Sequence, residues 1–254
     1  SDINGKSDKL IKLDKVQSLE WEGIFLSPMH PDVNPYIIDK IIYLLEAYDF
    51  DGLLLDQVKY QAYYYGYNKI GMEIFHDQHN IDPLDINRGL ISEYYGYKKS
   101  EVDSIKLLWD DFRINSITNL IREINQTIDT ELFVSVKQSS EDSKNKWYQD
   151  WNQWLLEDIV DFLVVKNYTI DFKEFNYYNK LINRTYSNFN NYNKIIIGVD
   201  ATKVNSSGFT ANKILSLRLQ QFNNIGIHAY DEYKRSIKWY NPIYNTINFN
   251  ISNE

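Results

Sequence analysis

Short segments that are almost entirely apolar alternate along this chain with longer segments that have an amphipathic helical pattern. Strands that are buried on both faces have this continuous apolar character, and helices between them connect parallel strands. The order of segments therefore predicts an α/β fold with a parallel sheet. Six segments are predicted to be strands: EGIFLS (22–27), Leu53–Asp56, ELFVSVK (131–137), IVDFLVVK (159–166), KIIIGVD (194–200) and NNIGIHAY (223–230).

A predicted helix precedes each of these strands after the first. In four of the helices, apolar residues recur every three or four positions, as on one face of a helix. A polar, tyrosine-rich helix is predicted before KIIIGVD. The four amphipathic segments are PYIIDKIIYLLEAY (35–48), a helix with Trp109, Phe112, Ile117, Leu120, Ile121 and Ile124 on its apolar face, KWYQDWNQWLLE (146–157) and FTANKILSLRLQQF (209–222).

Charged residues directly after the predicted strands favour a β/α barrel of the TIM type, because such barrels carry their catalytic groups at the strand ends. A dinucleotide-binding sheet is disfavoured, since no glycine-rich phosphate loop follows the first strand. Six strands are two fewer than a closed barrel contains. Either the segment 1–21 covers the open edges, or two further β/α units lie upstream. The charged strand-end residues are Asp56, Lys137, Lys166, Asp200, Asp231 and Glu232.

The composition disfavours several classes of function. The 35 acidic and 27 basic residues give a formal net charge of -8, and no basic block is present to bind phosphates, so a nucleic-acid partner is disfavoured. Cysteine is absent, which excludes disulfides and thiolate metal sites. His76 and His79 form only a weak metal motif, and we predict neither a metal nor a cofactor. No apolar run approaches the ~20 residues of a transmembrane helix.

Four segments, in order, resemble glycosyl-hydrolase-like family 10. This family includes bacterial β/α-barrel enzymes that cleave the glycan strands of peptidoglycan, and the poly-N-acetylglucosamine hydrolase domain is a more distant relative. The segments are LSPMHPDVNPYIIDKIIYLLEAYDFDGLLLDQVKYQ (26–61), GYNKIGMEIF (66–75), WDDFRINSITNLIREIN (109–125) and DWNQWLLEDIVDFLVVKNYT (150–169).

The resemblance implies a partial barrel that lacks the first two β/α units of the family, formed by a single domain over residues 1–254. It further implies a glycoside hydrolase that acts on an amino-sugar polysaccharide, such as peptidoglycan glycan strands or poly-N-acetylglucosamine. Family members mostly act outside the cytoplasm, so we expect an extracytoplasmic location, reached through a leader that has been removed. The oligomeric state stays open.

Asp56 matches the acidic residue at the end of the family's fourth strand, and it is the leading candidate for the catalytic acid. It could protonate the glycosidic oxygen if burial raises its pKa, or stabilise an oxocarbenium-like centre if it stays ionised. Lys137 and Lys166, if they face the mouth of the barrel, would bind an anionic group of the substrate or lower the pKa of Asp56. A second carboxylate ~5 to 9 Å away would complete a two-carboxylate mechanism, with Asp200, Glu232 and Asp231 as candidates. Alternatively, a substrate N-acetyl group acts as the nucleophile. Residues predicted to bind substrate are Lys59, Tyr60, Tyr67, Asn68, Arg113, Lys137, Lys166, Asn167 and Tyr168.

Several positions differ from the family pattern. Leu54 stands where the family has His, Lys59 where it has Arg, and Val165 and Lys166 where it has Pro-Met. These differences favour an alternative in which a degenerate barrel binds glycan without cleaving it. A lysine at a strand end is also typical of Schiff-base aldolases, which borohydride trapping would reveal.

Overall fold

A computed structural model gives the structure of residues 25–202, 206–229 and 236–248. Short 3-10 turns at Lys99–Glu101 and Asn190–Lys194 accompany the main elements. In chain order these elements are α1 (Val33–Ala47), β1 (Gly52–Leu55), α2 (Lys69–His79), α3 (Pro83–Arg88), α4 (Ile91–Tyr95), α5 (Val102–Thr127), β2 (Glu131–Lys137), α6 (Ser140–Trp147), α7 (Trp151–Leu156), β3 (Phe162–Lys166), α8 (Phe172–Tyr186), β4 (Ile195–Asp200), α9 (Ser207–Leu219), β5 (Ile225–His228) and α10 (Ile237–Asn248).

The five strands form one sheet in the order β1-β2-β3-β4-β5. The sheet is parallel and curled, as in part of a TIM barrel, which confirms the α/β class and five of the predicted strands. The strand predicted at 22–27 is not confirmed. Residues 25–27 are irregular, and residues 22–24 lie outside the described part of the chain.

The register of the strands places polar residues together at their carboxyl ends. Lys137 on β2 is aligned with Lys166 on β3, and Asp200 on β4 is aligned with His228 on β5. Because side chains alternate between the two faces of a strand, Ser135 shares the face of Lys137. The opposite face is apolar and packs in the core, as the fully buried Val134, Leu163 and Ile197 show.

The single helix predicted at 146–157 is wrong. The chain forms two shorter helices there, α6 and α7, separated by residues 148–150. Tyr148 has a φ of 58°, in the left-handed region, which ends α6. The buried Gln149 then donates from its side-chain amide to the carbonyl of Val58 at 2.9 Å, and Asp150 forms an ion pair with Lys144 at 2.7 Å. These contacts fix the break between the two helices.

The described residues divide into two compact units. The first comprises residues 25–53, Val58–Thr130 and Ser140–Trp154. Its core is built on α5, where Trp109 is buried with its ring centroid 4.9 Å from that of Phe75. The second unit comprises Leu54–Gln57, Glu131–Ser139 and the described residues from Leu155 onward. It contains β2 to β5 and the end of β1, and therefore the carboxyl edge of the sheet.

Within the residues described, no helix combines the length and the apolar character that crossing a membrane requires.

Candidate active site

Asp56 directly follows β1, and two side chains from the next strands bind its carboxylate. Ser135 Oγ on β2 and Lys166 Nζ on β3 both donate hydrogen bonds to Asp56 Oδ1. The backbone N–H of Gln57 donates a third hydrogen bond at 3.0 Å. The Asp56 side chain is 52% exposed and that of Lys166 is 19% exposed. The carboxylate is thus accessible to a substrate while protein donors fix its orientation.

The surroundings of Asp56 favour its ionised form. Burial by itself would raise the pKa of the carboxyl, because it removes water from the charge. The hydrogen bonds from Lys166 and Ser135, the positive charge of Lys166 and the N–H of Gln57 act in the opposite direction and outweigh it. The pKa of Asp56 therefore lies below its ordinary value.

Gln57, the residue after the acid, has an unusual backbone conformation. Its φ is 61°, in the left-handed region that residues with a Cβ rarely adopt. Such strain tends to occur at functional sites, where the surrounding structure maintains it. Here the conformation directs the Gln57 N–H at the Asp56 carboxylate.

Replacing Gln57 with Gly is expected to stabilise the protein by up to ~1 kcal/mol, because glycine adopts positive φ without the steric penalty of a Cβ. Urea denaturation of both proteins measures the difference. The matched control is Gln126→Gly in the helix α5, which is expected to destabilise by about 0.5–1 kcal/mol. A destabilised Gln57→Gly protein would show that the Gln57 side chain contributes more than its backbone strain costs.

Asp200 supplies a second carboxylate at this edge of the sheet. It is the last residue of β4 and is only 3% exposed. Its Oδ1 atom accepts hydrogen bonds from the N–H and the hydroxyl of Thr202, each at 2.6 Å. The turn after β4 therefore fixes the orientation of this carboxylate.

The Tyr168 ring lies at the same edge of the sheet, against Gly198 on β4 and His228, the register partner of Asp200. Burial raises the pKa of the Tyr168 hydroxyl to about 12, and the negative charges of Asp56 and Asp200 contribute to the shift. The Tyr168 ring stacks on the ring of His228, with 5.2 Å between centroids and an interplanar angle of 15°. The hydroxyl is thus a protonated donor at this edge of the sheet at neutral pH.

Lys137 and Asn167 complete the predicted residues of the second unit. Lys137 is the neighbour of Lys166 in the register of β2 and β3. Asn167 is buried, and its side-chain amide donates to the carbonyl of Phe175 at 3.0 Å and to Asn179 Oδ1 at 2.9 Å. The structure thus brings together Asp56, Lys166, Tyr168 and Asp200, with Lys137 beside Lys166. Glu232 and Asp231 lie outside the described residues.

The other predicted substrate-binding residues belong to the first unit and make internal contacts there. Tyr60 is buried and hydrogen-bonded to Ser116 at 2.9 Å. Lys59 is buried with its ammonium 5.7 Å from the ring centroid of Phe25. Tyr67 is buried too, with its ring 5.5 Å from that of Trp109.

Asn68 and Arg113 also have structural partners in the first unit. Asn68 caps the N-terminus of α2, since its Oδ1 accepts from the N–H of Gly71 at 2.8 Å. The Arg113 guanidinium donates to the carbonyls of Tyr63 and Tyr65 at 2.8 and 3.0 Å and to Asp110 at 2.5 Å. It therefore holds the tyrosine-rich loop that follows the strand β1.

Four residues near the carboxylates were not among the sequence predictions, namely Ser135, Thr202, Lys213 and His228. Ser135 could have been found, because a polar residue two positions before Lys137 on a strand shares its face. Thr202 follows Asp200 closely enough to suggest a local turn. Lys213 gives no signal, because one lysine in an amphipathic helix is usually solvated. Among the described residues, no group of three or more His, Asp or Glu side chains is placed to hold a metal ion.

Comparisons with known proteins agree with this architecture. The sequence profile of the glycosyl hydrolase-like 10 family matches residues 7–214. Among solved structures, the PgaB (BpsB) glycoside hydrolase domain from Bordetella bronchiseptica is similar, with a TM-score of 0.63, 13% sequence identity, and coverage of 96% of this chain and 69% of that chain. At this sequence identity, the likeness concerns the fold alone. A search of curated proteins finds no significant match.

Proposed function

We propose, because the chain belongs to the glycosyl hydrolase-like 10 family, that it hydrolyses glycosidic bonds of an amino-sugar polysaccharide and that Asp56 carries the central catalytic carboxylate. The observation that supports this most directly is the environment of Asp56, an accessible carboxylate oriented by Ser135 and Lys166. Candidate substrates are peptidoglycan glycan strands and poly-N-acetylglucosamine. Polymers of this class lie outside the cytoplasm, and we place the protein there.

Asp56 acts as an ionised carboxylate in this proposal. From the sequence, Asp56 was the leading candidate for a proton donor, which requires a raised pKa, and an ionised carboxylate that stabilises an oxocarbenium-like centre was the other possibility. The ammonium of Lys166 lowers the pKa of Asp56 instead, so the carboxylate suits attack on the anomeric carbon, activation of water, or stabilisation of an oxocarbenium-like transition state.

Proton transfer to the leaving oxygen then requires another group. Asp200, which would act in its protonated form, is a candidate because it ends the strand β4 at the same edge of the sheet and, like Asp56, interacts with Tyr168. Glu232 remains a further candidate for this role. In the reaction, the leaving oxygen gains a proton as the glycosidic bond breaks, and water supplies the oxygen of the new anomeric hydroxyl.

A Schiff-base aldolase is less well supported. Its nucleophile is a lysine amine with a free lone pair, whereas the Lys166 side chain is held in an ion pair with Asp56. Borohydride reduction with a carbonyl substrate should leave Lys166 unlabelled. A glycan-binding protein without turnover is the other alternative, and the following experiment distinguishes it from a hydrolase.

Release of reducing ends from purified polysaccharides tests the proposed function. The panel comprises denuded peptidoglycan glycan strands, partly deacetylated poly-N-acetylglucosamine and cellulose, which lacks amino sugars. We expect cleavage of at least one amino-sugar polymer and none of cellulose. Tight binding to an amino-sugar polymer without new reducing ends would instead identify a glycan-binding protein.

Lys166→Met is expected to lower activity more at acidic pH than at neutral pH. The proposed reaction requires an ionised Asp56, and Lys166 keeps it ionised as the pH falls. Without the ammonium, the pKa of Asp56 is higher than in the wild type, because burial is then opposed by fewer partners. The acidic limb of the pH–activity curve therefore moves to higher pH. The pH dependence of kcat/KM measures this. The control variant Lys146→Met removes an exposed ion pair with Asp142, and it should leave the acidic limb at the pH of the wild type. An identical limb in Lys166→Met and wild type would contradict the role of the ion pair.

A further inference from the structure

Lys213 is a buried cation on α9 whose role the proposed reaction does not explain. The residue is 1% exposed. Its ammonium donates a hydrogen bond to the carbonyl of Thr169 and lies 4.7 and 5.1 Å from the ring centroids of Phe175 and Phe209. Burial of a charge is unfavourable unless its partners offset the loss of water. Its placement therefore calls for a structural or functional reason.

The carbonyl that Lys213 binds lies at one end of a short segment that is fixed at both ends. At the other end, the backbone N–H of Asn167 donates to the carbonyl of Gly198 at 3.1 Å. The side chain of Asn167 is anchored on α8 through the carbonyl of Phe175 and through Asn179. Tyr168 lies between these two anchored residues, so its backbone has little freedom to move.

The Tyr168 side chain is fitted closely to the sheet. A Cβ added to Gly198 would lie 3.2 Å from Cε1 of Tyr168, so the ring covers the position that a side chain would occupy. The stacked ring of His228 restricts movement of the Tyr168 ring on another side. The ring is thereby kept at the carboxyl edge of β4 and β5, since His228 is the register partner of Asp200. The negative charges of Asp56 and Asp200 act on the Tyr168 hydroxyl, and that of Asp200 acts on Lys213.

We propose that Lys213 is a positioning residue of the active site, which acts through the Thr169 carbonyl to hold the Tyr168 hydroxyl where it donates to the glycan beside Asp56 and Asp200. The role in turnover rests on the proposed hydrolase function, whereas the positioning of Tyr168 does not depend on it. Lys213 itself does not touch the substrate. Its removal should therefore impair catalysis only through displacement of Tyr168.

A double-mutant cycle with Lys213→Met and Tyr168→Phe tests this coupling. Small displacements of positioned groups cost on the order of 10- to 100-fold in rate, so each single variant should lose at least ~10-fold in kcat with KM changed by less than about threefold. The double variant should be no slower than Tyr168→Phe. Losses that multiply in the double variant would overturn the proposal. Lys180 is an exposed lysine on α8, and Lys180→Met is the matched control. Lys213→Arg should recover part of kcat because arginine keeps a charged donor at this position.

A label on Tyr168 tests the positioning without any substrate. With 3-fluorotyrosine at position 168, the wild-type protein should give one sharp ¹⁹F resonance that titrates at higher pH than the free labelled amino acid. In Lys213→Met the resonance should broaden or divide, and its titration should move toward that of the free amino acid. An unchanged resonance would overturn the proposal, even for a chain that cleaves no glycan.

Gly198→Ala keeps the proposal testable if Lys213→Met does not fold. The added Cβ would lie 3.2 Å from Tyr168 Cε1 and 3.3 Å from the carbonyl oxygen of Val165, so the ring, as the movable neighbour, should be displaced. The same change in the ¹⁹F resonance and the same loss of kcat are expected. Full activity together with a changed resonance would show that catalysis does not depend on how the ring is placed, and would overturn the proposal.

Discussion

Asp56→Asn is expected to lower kcat on the preferred glycan by roughly 10³-fold or more, because the amide carries no negative charge for the anomeric centre. The amide oxygen can still accept from Ser135 and from the N–H of Gln57, which keeps the local geometry. The Asp56 side chain is half exposed, so the fold should tolerate the change. Initial rates of reducing-end release, with thermal melting on the same samples, measure the two effects.

Asp103→Asn is the matched control for this substitution. The Asp103 side chain is 92% exposed and makes a 3.9 Å ion pair with Lys106 on the helix α5. Turnover by this variant should equal that of the wild type. Equal turnover by Asp56→Asn would remove Asp56 from the mechanism and direct attention to Asp200 and Glu232.

Arg113→Ala is expected to destabilise the protein by about 3 kcal/mol or more. The side chain is 4% exposed, and its loss leaves the carbonyls of Tyr63 and Tyr65 without their donor. Asp110 loses its ion-pair partner, and the Tyr148 ring, 4.0 Å from the guanidinium carbon, loses a cation–π contact. A fall in Tm of roughly 6–12 °C corresponds to this loss in a chain of this size.

Arg113→Lys should also be unstable, because one ammonium cannot reproduce the forked contacts of a guanidinium. Arg122→Ala on the same helix is the control. Arg122 binds Asn119 at an exposed position, and its loss should change stability by less than ~0.5 kcal/mol. If Arg113→Ala melted like the wild type and raised KM, Arg113 would bind substrate, as the family resemblance implied.

The sheet was predictable because burial of its strands leaves a strong signal. Segments such as ELFVSVK and KIIIGVD are nearly all apolar, as expected for strands covered by helices, and they form β2 and β4. The break between α6 and α7 was not predictable in the same way. Trp147, Trp151 and Trp154 keep a helical spacing across it, and the turn depends on Tyr148, which is neither Gly nor Pro.

The candidate site was predictable where chain order determines position. Asp56, Lys166 and Asp200 follow parallel strands, whose carboxyl ends meet at one edge of a sheet. A lowered pKa of Asp56 was one of the outcomes expected if Lys166 faced it, whereas the hydrogen bond from Ser135 was not predicted, because it depends on how the strand β2 packs beside β1. Lys213 was missed because its burial results from the packing of α8 and α9 around Phe175 and Phe209.

Hydrolysis in ¹⁸O-labelled water tests the central claim most directly. The chain is incubated with denuded peptidoglycan strands or partly deacetylated poly-N-acetylglucosamine, and the products are examined by mass spectrometry. We predict that every new reducing end carries one ¹⁸O atom, because water supplies the oxygen at the anomeric carbon, and that Asp56→Asn gives no such product. Bound but intact polymer, or products without the label, would contradict the assignment as a glycoside hydrolase.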